Sequence, residues 1–417
     1  MKRYRAWLRA AAVAYPLCAL AVACSSEGSS TDAADDSDPI AAGFDRQLLL
    51  QSIADNAVLP TARDFEEEAE ELNDATSAWA ADPSQGALRS AAQEAWLEAS
   101  LVWQRMEVMQ FGPTGDAGVR VGGQSFRDRI YSWGPASPNA NTCGVDQVLV
   151  ANAFEEDGFF DSLPVTLYGL DALEYVLFVP TTTEENGCAP QATINQDGSW
   201  EALVQSGNLQ ERRARYAMAV SERLMTDAEG HLAAWEGFRT SLVGAGTSGP
   251  FASAQAALDD VFAGLFYVDL QVKDDKLGTP AGLSAKCLVD RCIDLAESDF
   301  ADAGRAFVNA NLEGAALVFF GGDRSSGSAT GFDDYLTAAG ATQLASELTS
   351  LLDAALAESA VLEPPLRVSL MQENSSPEFE ALVDLHEAVR AFTAVLQSQF
   401  VSVLSLRIPN EGAGDND

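Results

Sequence analysis

Histidine is almost missing from this chain: 417 residues contain two, His231 and His386. Leu385-His-Glu-Ala-Val-Arg390 puts Arg where HExxH needs its second imidazole, which argues against a zincin peptidase. There is no GxSxG elbow, and the two histidines lie far apart, so a serine triad has no support. Both read as helix-face residues. Gly321, Gly322 and Gly327 precede Gly331-Phe-Asp-Asp-Tyr-Leu336 without a P-loop lysine pattern, which argues against a phosphate cradle. Basic residues are scarce too, 25 against 62 acids for a formal charge of −37, and such a surface repels nucleic acid and anionic lipid headgroups. It attracts cations or basic partners, or it is simply a solvated exterior. A long apolar run is also lacking. The apolar run Ala10–Ala23, at 14 residues, is too short as a helix for the ~30 Å hydrocarbon core of a bilayer.

That run has another meaning. Lys2, Arg3, Arg5 and Arg9 precede it and Cys24 ends it, the layout of a signal peptide. Leu20-Ala-Val-Ala-Cys24 approximates a lipobox, with Ala21 where Leu is usual, and predicts lipidation of Cys24. The alternative is an ordinary secretory signal with Cys24 as a bystander. Two or more acyl chains hold a protein firmly where one holds marginally. From Ser25 to about Gly43 the chain is mostly Ser, Asp, Ala and Glu, a flexible tether. Ser25, rather than Asp, follows the cysteine, which favours the outer membrane if the cell is Gram-negative. Removing residues 1–23 takes four basic residues, leaving 21 against 62 acids, or −41.

Beyond the leader and Cys24, four thiols remain, Cys143, Cys188, Cys287 and Cys292, which allow three pairings in an oxidising compartment. Cys143 with Cys188 and Cys287 with Cys292 is the favoured set. The first two lie in Gly/Asn/Pro-rich loops and the last two are close in sequence. Closing these loops is worth ~4 and ~2 kcal/mol respectively on a chain-entropy argument. A four-cysteine zinc site is the alternative, but the spacing is not that of paired CxxC knuckles.

Apolar residues recur at three and four, the helical period, and strand-like alternation is scarce. The pattern predicts an all-α chain with helices over about 44–81, interrupted at Pro60, 84–111, 125–133, 164–178, 199–243, 251–273, 294–320, 340–359 and 376–406. Gly244–Gly249 reads as the boundary between halves. The expected organisation is a signal peptide over 1–23, acylated Cys and tether over 24–43, helical-bundle halves over 44–245 and 250–407, and an acidic tail over 408–417. Leu170–Phe178 and Leu312–Phe320 share an apolar pattern, as any two amphipathic helices can.

Two stretches carry candidate chemistry. In Ala95–Pro113, Trp96 and Trp103 share a helix face and read as core. Glu107, four residues after Trp103, lies near that buried side and needs a partner such as Arg105 or Arg127. In Tyr168–Phe178, Asp171 and Glu174 stand one helical turn apart and point the same way. With Glu107 from a facing helix they would make an all-oxygen ligand set suited to hard cations and ferric iron. The alternative is an ordinary solvated acidic face.

Gly169-x-Asp171-x-x-Glu174 resembles the GxHxxE signature of the imelysin family, also called the insulin-cleaving membrane protease or iron-regulated protein A family. Glu107–Pro113, Ile130-Tyr-Ser-Trp133, Leu277-Gly-Thr-Pro280 and Asn311-Leu-Glu-Gly314 resemble further family landmarks in the expected order, and the resemblance covers about residues 44–407. It implies two packed helical-bundle halves, export to the envelope, frequent iron regulation and a site around GxHxxE. Relatives with the intact motif in ferrous-iron transport are linked to metal binding. This chain departs from the motif, since Asp171 replaces the His and removes a nitrogen ligand that zinc and peptidase mechanisms favour.

The expectation is therefore a non-catalytic envelope lipoprotein in iron uptake. It binds iron, another hard cation, or an iron-bearing ligand or partner at Glu107, Asp171 and Glu174, with envelope iron-uptake proteins as candidate partners. A metallopeptidase of the imelysin type and a surface protein-interaction module are the alternatives.

Overall fold

Proline and glycine punctuate the helices, but tertiary contacts move several of their ends. The computed structural model describes residues 43–131, 133–134, 140–360 and 364–409. The leader, Cys24, the tether up to residue 42 and the tail from 410 on lie outside the described residues. Among the described residues no strand occurs, so the chain is all-α. The main helices are α1 (Leu59–Ala81), α2 (Gly86–Glu107), α3 (Thr142–Ala151), α4 (Leu170–Phe178), α5 (Leu209–Val243), α6 (Ala254–Leu265), α7 (Gly304–Phe319), α8 (Thr342–Ser359) and α9 (Pro377–Val395). Three wider, π-helical segments interrupt the regular winding: Ile53–Val58, Val268–Gly278 and Leu396–Phe400.

Local chemistry accounts for many of these boundaries. Pro60 cannot donate to the helical ladder, and the π-helical segment ends just before it at Val58. Ser253 and Ser376 cap α6 and α9, their hydroxyls accepting from the amides of Ala256 and Phe379 at 3.1 and 3.2 Å. The helix expected over 199–243 is two, Ser199–Gln205 and α5, parted at Gly207, whose φ of +75° no other residue adopts cheaply. The helix expected over 294–320 begins only at Gly304, for a reason that lies in the site below.

α1 packs on α2 and α5, and α2 in turn on α4 and α7; α7 meets α8, and α8 meets α9, which lies along Val268–Gly278. A continuous apolar core runs through these layers from Leu49 to Leu406. Crossing of α2 and α7 joins the two expected halves, and the Asn311-Leu-Glu-Gly314 landmark makes it. A Cβ on Gly314 would stand 2.3 Å from the Arg105 carbonyl oxygen, so only glycine lets the backbones approach. Asn311 donates across the crossing to the Gln104 backbone oxygen at 2.7 Å. Both disulfides form as expected, Cys143–Cys188 and Cys287–Cys292.

Candidate functional site

The last turns of α2 aim a row of large side chains inward. Trp96 and Trp103 are both fully buried, as their spacing predicts. The indole of Trp103 donates to Glu107 Oε1 at 2.9 Å, four residues on, and Tyr267 donates its hydroxyl to Oε2 at 2.8 Å. Arg127 Nε lies 3.4 Å from Oε1, so Arg127 is the partner of this fully buried carboxylate, whereas Arg105 turns to Glu313 at 2.8 Å. Burial opposes the charge on Arg127. Glu107, Tyr267 and Asp128 together outweigh it and hold the guanidinium more firmly protonated than usual.

A second buried acid, Glu297, is the centre of a network that sequence reasoning did not find. Its Oε1 accepts from Tyr131 at 2.6 Å and Gln104 Nε2 at 3.2 Å, and lies 3.0 Å from Lys276 Nζ. Lys276 also donates to Gln104 Oε1 at 2.6 Å and Asn311 Oδ1 at 2.9 Å, and sits by the rings of Trp133 and Tyr267. Burial lowers the Lys276 pKa while Glu297 and Glu107 work to raise it. Burial likewise raises Glu297, against the pull of Lys276.

α4 contributes the third part. Asp171 and Glu174 are each only 5% exposed, which overturns the reading of a solvated face. Glu174 Oε1 accepts from Ser298 Oγ at 3.0 Å and from the amides of Phe300 and Ala301 at 3.0 and 2.8 Å. These amides explain the late start of α7: the chain from Ser298 to Asp302 turns toward Glu174 instead of winding into a helix, with positive φ at both ends of that stretch. Burial pushes the Glu174 pKa up to about 8, opposed by the Ala301 amide and reinforced by Asp171. Tyr131 lies in the field of Glu297, Asp171 and Glu174 together, and Glu297 in that of Glu107, so the three expected residues belong to one buried polar region.

They do not form an open ligand set. Glu107 is taken by Trp103, Tyr267 and Arg127, and Glu174 by Ser298 and two amides. Among the described residues no group of three or more His, Cys, Asp or Glu side chains is placed to hold a metal ion. Arg127 already supplies the counter-charge of Glu107, and Glu174 is held by neutral donors, so as placed these carboxylates do not present a shared open set of oxygens to an ion. His231 is a core residue: it is fully buried, within 2.9 Å of Thr114 Oγ1, and pushed by burial to a pKa of about 3.

A pocket of about 310 Å³ opens in front of this region, with Gln110, Asp116, Arg120, Arg127, Tyr267 and Gln271 in its lining. Arg127 and Tyr267 therefore face the pocket and hold Glu107 at once. One signal for the missed residues was in the sequence. The chain has four lysines, and three of them, Lys273, Lys276 and Lys286, fall in one short stretch. Lys273 and Lys276 are buried, where a mixed-charge run ordinarily marks a solvated surface.

The imelysin family model matches residues 58–396, over the helices that build this region. The chain belongs to the imelysin family. An imelysin-like protein from Psychrobacter arcticum 273-4 has a similar crystal structure, at a TM-score of 0.62 and 18% identity, covering 87% of this chain and 96% of that one. An iron-regulated protein A precursor from Parabacteroides distasonis ATCC 8503 is similar at a TM-score of 0.63 and 16% identity, covering 86% and 94%. At such identities the likeness shows the imelysin fold alone. Among curated proteins none matches. No helix of the described residues is long and apolar enough to cross a membrane.

Proposed function

We propose that this imelysin-family protein is a non-catalytic lipoprotein of the cell envelope, anchored through Cys24, that serves iron uptake by holding an iron-bearing ligand in the pocket before Glu107. One observation carries the reading: Arg127 and Tyr267 belong both to the pocket lining and to the clamp on Glu107. Whatever enters the pocket touches the buried acid network through them. An anionic ferric chelate suits this place better than a bare ion. Its carboxylates meet Arg127 and Arg120, with the amides of Gln110 and Gln271 for further hydrogen bonds, while Glu107 and Glu297 keep the cations they hold. The name of the Parabacteroides relative supports the link to iron, and the lipobox and signal layout support the envelope.

Calorimetric titration of the purified full-length protein with ferric citrate and with ferrous and zinc salts tests it. Ferric citrate is expected to bind, at least tenfold more weakly in Tyr267→Phe and Arg127→Gln. Equal affinity in wild type and both variants would overturn the reading. Binding of the bare ions that is lost in an Asp171→Asn, Glu174→Gln double variant would replace it with a direct metal site.

A further inference from the structure

Eight large apolar side chains are exposed among the described residues, and five of them fall on two neighbouring segments: Leu283, Leu288 and Val289 on one, Val368 and Met371 on the other. Arg291 ties the segments together, reaching the backbone oxygens of Leu370 and Gln372 and the side chain of Asn374. Leu288, at 92% exposure, and Val289, at 67%, stand on the small ring closed by Cys287–Cys292. The ring is pinned to the body. The Cys292 amide donates to the Pro280 carbonyl at 3.2 Å, Lys286 meets Asp275 at 2.7 Å, and the Arg291 guanidinium lies 3.8 Å from the centre of the Phe379 ring.

Holding two branched aliphatic side chains outward on a covalent ring does nothing for the core, and clusters of exposed apolar residues mark interaction sites. Because the ring is rigid before it meets anything, binding through it loses little conformational freedom. Charge selects the occupant. A second copy brings another −37, and an anionic bilayer repels the same body. The ring offers no aromatic side chain to a membrane interface and places the exposed Asp290 beside Val289, with the exposed Glu373 next to the Met371 segment.

We propose that the Cys287–Cys292 ring, with Met371 beside it, is a docking knob for a partner protein that offers an apolar socket with a basic rim. This surface lies apart from the pocket before Glu107 and does not depend on what that pocket holds.

A photo-crosslinking residue placed at Leu288, at Met371 and, as control, at the exposed Leu48 tests this in the native host. The expected result is one discrete adduct with the same protein from positions 288 and 371 and none from 48. With that protein purified, Leu288→Asp should weaken binding to the full-length chain at least tenfold, while Leu48→Asp leaves it unchanged. Added salt should weaken it further. Thermal melting checks that Leu288→Asp is as stable as wild type, as an exposed position requires. Adducts of the chain with itself, flotation with phosphatidylethanolamine and phosphatidylglycerol vesicles that Leu288→Asp abolishes, or no adduct at position 288 would each overturn the proposal.

Discussion

Glu174 is a carboxyl that keeps its proton at neutral pH, because burial outweighs the three donors on its Oε1. An unfolded chain has no such burial and ionises near the ordinary value of 4.5. Between there and about 8 the folded state therefore binds more protons than the unfolded one. Stability from this residue is complete below 4.5 and is lost as pH rises toward 8, at up to ~1.4 kcal/mol per unit. Glu174→Gln keeps an oxygen for Ser298, Phe300 and Ala301 but has no proton to lose. The melting temperature of wild type should fall more steeply from pH 5 to pH 8 than that of the variant, and parallel curves would refute the assignment. That Glu107 is buried was legible from its place four residues after Trp103. Glu297 was not, because nothing local distinguishes it from the many exposed acids of this chain.

Among the elements, those whose ends are governed by nearby residues were legible, the starts of α6 and α9 at their serine caps above all. At Pro60, by contrast, the expected interruption is only a change of winding, with helix continuing on both sides. The start of α7 was not legible, since the amides that a helix would have used are drawn to a carboxylate on α4, 126 and 127 residues earlier in the chain. The two disulfides separate stability from presentation. Replacing Cys143 and Cys188 by Ser opens a loop of sequence separation 45 and should cost ~4 kcal/mol in urea unfolding, against ~2 kcal/mol for Cys287 and Cys292, whose separation is 5. Equal losses would show that loop closure is not what these bonds contribute.

For the whole molecule, the formal charge of −37 sets a background repulsion that folding must overcome. Salt screens it, so raising sodium chloride from about 0.01 M to about 0.5 M, which shortens the screening length several-fold, should raise the melting temperature. A fall would mean that the ion pairs, Lys276–Glu297 and Arg127–Glu107 among them, respond to salt more than the surface does. Their burial argues the other way, since buried pairs are little screened.

Sequence by itself determined the helical class, the inward face of Trp96 and Trp103 and the family, because each rests on residues close in the chain or on their order along it, and it favoured the cysteine pairing that the structure then decided among three. Only the tertiary structure decided that Asp171 and Glu174 are buried, that Arg127 rather than Arg105 answers Glu107, and that Lys276 and Glu297 meet. Those facts depend on which helices cross, and the close approach of α2 to α7 at Gly314 comes from packing across more than two hundred residues of chain.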